Sequence, residues 1–284
     1  MIIVVDSGSS KADWRIMSER GSFSVSTMGF NPVFHSEGYI YEEASKALEG
    51  KLPHAEVQQV FFYCAGGWDL GRKSTVARAL GRIFPNADIM VDHDLLGAAR
   101  AACGREPGVA CILGTGSNSC LYDGEEVVDN ITNLGYLLGD EGSGTFLGKK
   151  LIRAYFYREL PKDLALLFDE FYPGGTQAIL DRVYNNDEPS NVFLASFVPF
   201  FARHRDHIFI QKLLYGAFEE FVDRHVRKYR NHTSLPIHFI GSVAYHFQDF
   251  VRVVLEERAL QPGNFIQKPI DNLAAFHQSS SLVN

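Results

Sequence analysis

Residues suited to phosphate chemistry surround the first turn of the chain, which opens MIIVVDSGSSKADWRIM. Asp6 ends an apolar run, and four small residues separate it from a lysine, although a plain β-hairpin needs only two turn residues. Unpaired backbone amides in such a turn bind anions, usually phosphate, and serine adds hydroxyl donors. An acid beside a phosphate makes sense where Mg²⁺ lies between them, whereas an ordinary hairpin turn is the competing interpretation. The turn therefore predicts Asp6 as a metal ligand and a phosphate-binding set of Ser7, Gly8, Ser9, Ser10 and Lys11.

A second Gly/Ser turn occurs about 110 residues later, in ILGTGSNSCLY. Like the first, it joins an apolar run to an alternating run, so two weakly similar halves predict a duplicated domain. Neither turn fits a Walker P-loop, and neither leads into a helix as a Rossmann fingerprint does. The pair favours a phosphate clamp made of two hairpins. The second set of phosphate-binding candidates is Gly114, Thr115, Gly116 and Ser117.

A candidate general base, Asp94, lies where the predicted strand ADIMVDHD meets the predicted helix LLGAARAACG. A carboxylate at that place can accept the proton of a substrate hydroxyl. Asp92 and His93 compete for the role, but strand alternation puts His93 on the opposite face, and the helix start favours Asp94. The competing interpretation is that Asp94 is the N-cap of the helix.

Two further small-residue turns precede helices. NLGYLLGDEGSG carries Asp140 and Glu141, which either orient sugar hydroxyls or a metal, or serve as ordinary acids at a helix start. FIGSVA brings a strand into a tight turn at Gly241 and Ser242, on which a flat adenine could lie. A plain strand-to-helix turn fits the second segment as well, so both stay open between a binding and a structural role.

Strands and helices must position these residues, and hydrophobic patterning predicts both. Three strands (IIVV, ADWRIM and SFSVST) precede the helix SEGYIYEEASKALEG, with Ser36 as its N-cap and Gly50 as its end. Two strand–helix pairs follow, VFFYCAG with LGRKSTVARALGRIF and ADIMVDHD with LLGAARAACG. The second half is more helical, with one late strand, LPIHFIGSV. The pattern predicts mixed sheets covered by helices, in two domains divided near Pro107–Gly108.

Composition restricts the class of protein. The 284 residues exceed the usual size of one hydrophobic core and predict two domains, and the net charge of -7 argues against a nucleic-acid partner. The longest apolar stretch, VFLASFVPFFA, is shorter than the roughly 20 residues of a membrane span and contains Pro199. The four cysteines form no C-x-x-C pair, which favours a reducing compartment. We therefore expect a cytoplasmic protein with neither a nucleic-acid nor a membrane partner.

In their order along the chain, the segments DSGSSK, LGTGSN, GDEGSG and IGSVA resemble the sugar-kinase, actin and heat-shock-chaperone superfamily of ATP-binding proteins. Within it, the chain is most similar to the N-acetylglucosamine kinase group. The resemblance implies an α/β protein of two RNase H-like domains, residues 1–107 and 108–284, with ATP in the cleft between them, Mg²⁺ as cofactor and homodimers as a common assembly. It makes Asp94 the catalytic base and Gly241 to Val243 the adenosine turn. It also assigns sugar-binding roles to Asn31, Asn118, Asn133, Leu134, Gly135 and Asp140.

The resemblance implies transfer of the γ-phosphoryl group of ATP to N-acetylglucosamine at O6, with N-acetylmuramic acid, glucosamine and other hexoses as further acceptors. Two departures bear on the acceptor: the adenosine turn is Gly-Ser rather than Gly-Gly, and Leu134 replaces a tryptophan common near the N-acetyl pocket. An ATPase activator of 2-hydroxyacyl-CoA dehydratases is an alternative, but that subfamily carries a cluster-binding cysteine where this chain has Glu141 and Gly142. A non-catalytic sugar or nucleotide sensor is the remaining alternative.

Overall fold

Two five-stranded mixed sheets, each flanked by helices, form the framework of the computed structural model, which describes residues 1–8, 11–185 and 189–281. Contacts divide the chain into two units. Unit 1 comprises Met1–Glu106, Gly124–Val127 and the segment from Lys268 onward, and unit 2 comprises Pro107–Asp123 and Val128–Gln267. The predicted division assigned the segment from Lys268 onward to the second domain. It belongs instead to unit 1, because its helix contacts strands and a helix of that unit.

The elements alternate between groups of strands and groups of helices. The described strands are β1 (Ile2–Ser7), β2 (Lys11–Ser18), β3 (Gly21–Met28), β4 (Gln59–Cys64), β5 (Asp88–His93), β6 (Gly108–Leu113), β7 (Ser117–Tyr122), β8 (Val127–Asp129), β9 (Pro236–Ile240) and β10 (Gln261–Ile266). The described helices are α1 (Glu37–Leu48), α2 (Leu70–Ile83), α3 (Asp94–Cys103), α4 (Gly135–Leu138), α5 (Gly144–Phe156), α6 (Lys162–Phe171), α7 (Gly175–Tyr184), α8 (Ser190–Ala195), α9 (Val198–Arg203), α10 (Ile208–Arg224), α11 (Ser242–His246), α12 (Gln248–Glu257) and α13 (Ile270–Ser281). Short 3₁₀ turns span His54–Glu56 and Val226–Lys228.

The sheet of unit 1 has the strand order β3-β2-β1-β4-β5, with β1 antiparallel to β2 and parallel to β4. The predicted opening meander is therefore confirmed. Ile3, Val4 and Val5 of β1 are fully buried. Trp14 packs edge-on against Phe62 with ring centroids 5.7 Å apart. Ser36 caps α1 as predicted, because its Oγ accepts the Tyr39 N–H at 3.3 Å.

The sheet of unit 2 has the order β10-β9-β6-β7-β8. This is the arrangement of unit 1 with β6 in the place of β1, as the predicted repeat of the opening requires. A cluster of phenylalanines fills the core between this sheet and its helices, and Phe200 and Phe218 are fully buried in it. Burial of such large rings explains why the helical half of the chain forms one core.

Several elements were not predicted from the sequence. β10 contains Pro262 and Gly263, and its register with β9 shifts between Pro262 and Phe265. The late strand ends at Ile240 because Gly241 adopts φ +112°. The apolar stretch that contains Pro199 divides into α8 and α9. In the part of the chain that the structure describes, no helix is long and apolar enough to cross a membrane.

Candidate active site

Asp6 and Asp94 lie at the carboxyl ends of parallel strands in unit 1. The parallel register aligns Asp6 of β1 with Tyr63 of β4, and Tyr63 with Asp92 of β5. Asp94 follows as the first residue of α3, and both carboxyl groups are partly buried. The carboxyl ends of parallel strands are the usual position of a ligand in α/β sheets.

The electrostatics of the two acids favour a bound cation. Burial raises the pKa of Asp6 to about 7, and repulsion from Asp94 adds to that shift. Burial also raises the pKa of Asp94 to about 6, although a hydrogen bond from the Leu95 amide favours the ionised form. A cation beside Asp6 would remove this repulsion, so the donor set fits Mg²⁺, which keeps several of its waters and needs few protein ligands. Within residues 1–8, 11–185 and 189–281, no cluster of three or more His, Cys, Asp or Glu side chains forms a larger metal site.

The two competitors for the role of base are engaged elsewhere. Asp92 Oδ1 forms an ion pair with Lys73 Nζ at 2.8 Å. His93 Nδ1 accepts the Leu96 N–H at 3.0 Å, so His93 is the N-cap of α3 and the interpretation of Asp94 as the cap is wrong. Burial lowers the pKa of His93 to about 4, which keeps the ring neutral. Asp94 is therefore the first residue of α3 and not its N-cap.

The first Gly/Ser turn uses part of its hydrogen-bonding capacity internally. The buried Ser7 Oγ accepts the Phe30 N–H at 2.8 Å and lies 3.2 Å from the Phe30 carbonyl, and the Gly8 N–H donates to the Lys11 carbonyl at 3.0 Å. The Ser7 hydroxyl therefore fixes the loop after β3 and does not serve as an open donor to a phosphate. Lys11 Nζ lies 2.7 Å from Asp13 Oδ1 and keeps an exposed side chain. The predicted candidates Ser9 and Ser10 lie outside the described residues.

Asn31 organises the same loop. Its buried side chain accepts the Val33 N–H through Oδ1 at 2.9 Å. Gly66, in the loop after β4, packs directly on this amide with φ +80°, and a Cβ at that position would lie 2.4 Å from Asn31 Oδ1. The close approach requires glycine. Asn31 thus fixes the position of the loop between β4 and α2.

The second Gly/Ser turn lies at the end of β6 in unit 2 and is held from its carbonyl side. The Gly144 N–H donates to Gly114 O at 2.8 Å, and the Thr145 N–H donates to Thr115 O at 3.0 Å. By contrast, the N–H groups of Thr115 and Gly116 donate no hydrogen bond to any residue that the structure describes. Adjacent undonated amides of this kind form an anion-binding nest.

The Asp140 carboxylate connects two other predicted residues, Ser117 and Asn133. Its Oδ1 accepts the Ser117 N–H at 3.0 Å and the Asn133 amide at 2.8 Å, and Asn133 also donates to the Ser117 carbonyl. Burial raises the pKa of Asp140, and its backbone has φ +59°. A non-glycine residue with this φ is uncommon and often marks a functional constraint.

The Gly241–Ser242 turn reaches the same place in unit 2. A Cβ on Gly241 would lie 2.4 Å from the Leu113 carbonyl and 3.3 Å from Gly114 N. Only glycine permits this approach between the end of β9 and the end of β6. Unit 2 therefore brings together the second phosphate turn, the predicted adenosine turn and the start of α5.

The remaining sugar-binding candidates differ in their surroundings. Asn118 Oδ1 accepts the Ser119 N–H at 2.9 Å and the Asn130 amide at 3.1 Å. Leu134 is 59% exposed, and the exposed Gly135 donates its N–H to Asn133 Oδ1 at 2.6 Å. Hydrogen bonds thus fix the loop at Asn133, whereas Leu134 and Gly135 are exposed to solvent.

A buried pair next to Asp140 was not predicted from the sequence. Glu141 Oε2 lies 3.3 Å from His225 Nε2, and both side chains are buried. Lys149 donates to the carbonyls of Tyr136 and Gly139, which ties α5 to the chain before Asp140. Glu141 stood beside Asp140 in a segment already singled out, but the partner from the end of α10 left no local signal.

The cysteines do not resemble cluster ligands. Cys64, Cys111 and Cys120 are buried in strands, and Cys103 is partly buried at the end of α3. Burial raises the pKa of Cys64 and of Cys103 to about 12, as expected for buried structural thiols.

The repeated sheet, with Gly/Ser turns following β1 and β6, has the fold of the two-domain actin-like proteins. No protein-family profile and no curated protein sequence matches the chain. Among solved structures, a candidate N-acetylglucosamine kinase from Porphyromonas gingivalis is 39% identical over 99% of this chain and 100% of its own, with a TM-score of 0.92. A candidate N-acetylglucosamine kinase from Chromobacterium violaceum is 19% identical over 97% of this chain and 98% of its own, with a TM-score of 0.71.

A glucokinase of the ROK family from Streptomyces griseus, solved with glucose and AMPPNP, shares the fold at 15% identity and a TM-score of 0.53, over 96% of this chain and 98% of its own. The likeness at 39% identity over the full length of both chains goes beyond a shared fold. The chain belongs to the N-acetylglucosamine kinase group of the sugar-kinase, actin and heat-shock-chaperone superfamily.

Proposed function

We propose that this protein is an ATP-dependent sugar kinase that phosphorylates N-acetylglucosamine at O6. The observation that carries the proposal is Asp94, a partly buried carboxyl group with a raised pKa of about 6, beside a second acid at the carboxyl ends of parallel strands. The description of the Porphyromonas gingivalis relative as a candidate N-acetylglucosamine kinase supports the choice of sugar.

Asp94 acts as the general base in this proposal. It accepts the proton of the sugar O6 hydroxyl as that oxygen forms a bond to the γ-phosphorus, and the bond from the γ-phosphorus to the bridging oxygen of ADP breaks. A pKa of about 6 leaves the carboxylate ionised at neutral pH while keeping its basicity close to the working pH. The two rival side chains cannot replace it, because Asp92 is paired with Lys73 and His93 caps α3.

Asp6 would hold Mg²⁺, in part through water, with Asp94 as its acidic neighbour. When bound, the ion would neutralise negative charge on the phosphates of ATP. The raised pKa of Asp6 supports this role, since a buried acid without a counter-charge disfavours ionisation. Lys11, exposed at the same turn, supplies a second positive charge for the phosphates.

The turn from Gly114 to Ser117 binds phosphate oxygens in the proposal, through the amides of Thr115 and Gly116. Gly241 and Ser242 hold the adenosine, and the close packing of Gly241 on Gly114 supports a continuous nucleotide site in unit 2. Asn133 and Asp140 orient the sugar hydroxyls, and Asp140 also keeps the phosphate turn in place by accepting the Ser117 N–H.

Mass spectrometry of the products tests the proposal. The protein is incubated with Mg-ATP and a panel of hexoses, amino sugars and N-acetyl amino sugars, and a phosphosugar is sought for each. We expect N-acetylglucosamine 6-phosphate as the main product. Asp94→Asn should lower kcat by at least about 10²-fold. The matched control is Asp88→Asn, which makes the same chemical change at an exposed position at the other end of β5 and should leave turnover unchanged.

Two results would contradict the proposal. Formation of ADP without any phosphosugar, unaffected by every sugar in the panel, would identify an ATPase rather than a kinase. Unchanged phosphosugar formation in Asp94→Asn would remove Asp94 from the mechanism while keeping the kinase activity.

A further inference from the structure

The loop between β4 and α2 carries an exposed aromatic side chain that contacts His93, the residue before the proposed base. Trp68 is 43% exposed, and its indole is stacked on the His93 imidazole with centroids 4.1 Å apart and planes 10° from parallel. His93 directly precedes Asp94 in the chain. The His93 ring covers one face of the indole, so the exposed surface lies on the other face and along the edges.

The loop that holds Trp68 is fixed on both sides. Gly66 packs on Asn31 Oδ1, and a Cβ on Gly67 would lie 2.9 Å from Cys64 Sγ and 3.3 Å from the Asp92 carbonyl. On the other side, Asp69 is the N-cap of α2 and accepts the Arg72 N–H at 2.9 Å. Contacts this close leave little freedom for the backbone around Trp68, so the position of the indole is set in advance.

The surface beneath the indole is fixed as well. His93 Nδ1 accepts the Leu96 N–H at 3.0 Å, which orients the imidazole and leaves its proton on Nε2. The ring is neutral at physiological pH, since burial holds its pKa near 4. A neutral, oriented imidazole gives the indole a flat support, and the charge of that support does not change at pH values well above 4.

We propose that the open face of Trp68 is the platform on which the pyranose ring of the sugar substrate stacks, an inference that rests on the proposed kinase function. A general base must lie within hydrogen-bond reach of the hydroxyl it deprotonates, so the sugar must lie a few ångströms from Asp94. The C–H groups on one face of a pyranose are apolar, and an indole offers a large, rigid apolar surface to them. Trp68 is thus a positioning residue for the acceptor.

The chemistry favours the sugar over the nucleotide as the group that stacks on Trp68. The turn that we assign to adenosine, Gly241 with Ser242, belongs to unit 2, whereas Trp68 belongs to unit 1 together with the base. Asn31, a predicted sugar-binding residue, contacts the same loop through Gly66.

The chain has two tryptophans, which makes the inference directly measurable. Trp14 is fully buried and donates its Nε1–H to Thr27 Oγ1 at 3.0 Å, so it should not respond to a ligand. Titration with N-acetylglucosamine in the absence of ATP should change the tryptophan emission to saturation. Trp68→Phe should abolish this change while keeping a ring in place.

Kinetics provide the second measurement. Trp68→Ala should raise KM for the sugar roughly 5- to 50-fold with KM for ATP unchanged, in line with the loss of one stacking contact. Trp68→Phe should restore KM to within about 3-fold of the parent value, because phenylalanine keeps an aromatic surface. Tyr157→Ala, which removes an exposed aromatic side chain of unit 2, is the matched control and should change neither constant.

The outcomes separate this inference from the proposed function. If the parent protein forms phosphosugar, but Trp68→Ala leaves both KM values and the emission response unchanged, the stacking role is wrong and the kinase function stands. A rise in KM for ATP alone would assign the ring to the nucleotide and overturn the inference. If the sugar changes Trp68 emission but no phosphosugar forms, the platform stands and the proposed function fails.

Discussion

Asp6 and Asp94 illustrate, at the residue scale, how a site can work against the stability of its own fold. Burial raises the pKa of each acid, so the folded protein binds their protons more tightly than the unfolded chain does. Such groups lower the free energy of unfolding as the pH rises from their pKa in the unfolded chain through their pKa in the folded protein. The fold is less stable because it buries two acids whose charges are needed for binding or catalysis.

The pH dependence of turnover follows from Asp94. With a pKa of about 6, the base is protonated in acid, so kcat/KM for the sugar should fall about tenfold per pH unit below pH 6 and level off above pH 7. Initial rates at subsaturating sugar, measured from pH 5 to 8 with Mg-ATP held saturating, check this. A flat profile across that range would mean that another group, or none, accepts the proton.

The effect of Asp6 on stability has a definite sign. Its folded pKa of about 7 exceeds the ordinary value of 3.8, so stability falls between these values and remains lower above pH 7. Asp6→Asn should therefore raise the free energy of unfolding by about 1–2 kcal/mol at pH 8 and have little effect at pH 4. Urea unfolding of the parent protein and of Asp6→Asn at both pH values measures this difference in free energy.

A divalent ion should act through the same residue. We expect millimolar Mg²⁺ to raise the melting temperature of the parent protein at pH 8 and to have no effect on Asp6→Asn. Glu56→Gln, a charge change at an exposed position of unit 1, is the control and should keep the response. Equal stabilisation of the parent and Asp6→Asn would place the ion elsewhere.

At the element scale, the predictable parts are those with local causes. The opening meander, the Ser36 cap and the strand-to-helix change at Asp94 each follow from a few neighbouring residues. β10 was missed because proline and glycine mask its strand pattern, and only pairing with β9 makes it a strand. The Ser7 hydroxyl was assigned to phosphate because its partner, the Phe30 backbone, is distant in sequence. The contact between Trp68 and His93 was likewise not predicted, because only the fold brings these two residues together.

The start of α5 links packing to the phosphate turn, and two glycines test this link. A Cβ on Gly148 would lie 2.0 Å from the Leu194 carbonyl of α8, whereas no atom lies within 4 Å of a Cβ on Gly216 in α10. Gly148→Ala should cost about 3 kcal/mol and raise KM for ATP, since α5 must shift with Thr145. Gly216→Ala should stabilise by about 0.5–1 kcal/mol. Urea unfolding and ATP kinetics of both variants measure these effects. Equal stability and equal KM for ATP in Gly148→Ala and Gly216→Ala would contradict the packing argument.

At the scale of the whole molecule, the chain returns to unit 1 after completing unit 2. α13 contributes His277, whose Nε2 lies 2.8 Å from the Tyr63 hydroxyl and whose ring stacks on Phe61 at 3.7 Å. Burial, together with Arg100 and Arg105, lowers the pKa of His277 to about 4. The neutral ring therefore supports unit 1 above pH 6.5, and this support is lost as the pH falls toward 4.

Replacing His277 tests whether the two units differ in stability. His277→Ala removes a buried hydrogen bond and a ring contact, so we expect a loss of about 2 kcal/mol. Amide hydrogen exchange followed by mass spectrometry should show faster exchange in β1, β4 and α3, with β6 and β9 unchanged. His246→Ala, at an exposed position of unit 2, should leave all of these peptides unchanged. Faster exchange in both units after His277→Ala would mean that they unfold together, and the C-terminal segment would then stabilise the whole chain rather than unit 1 alone.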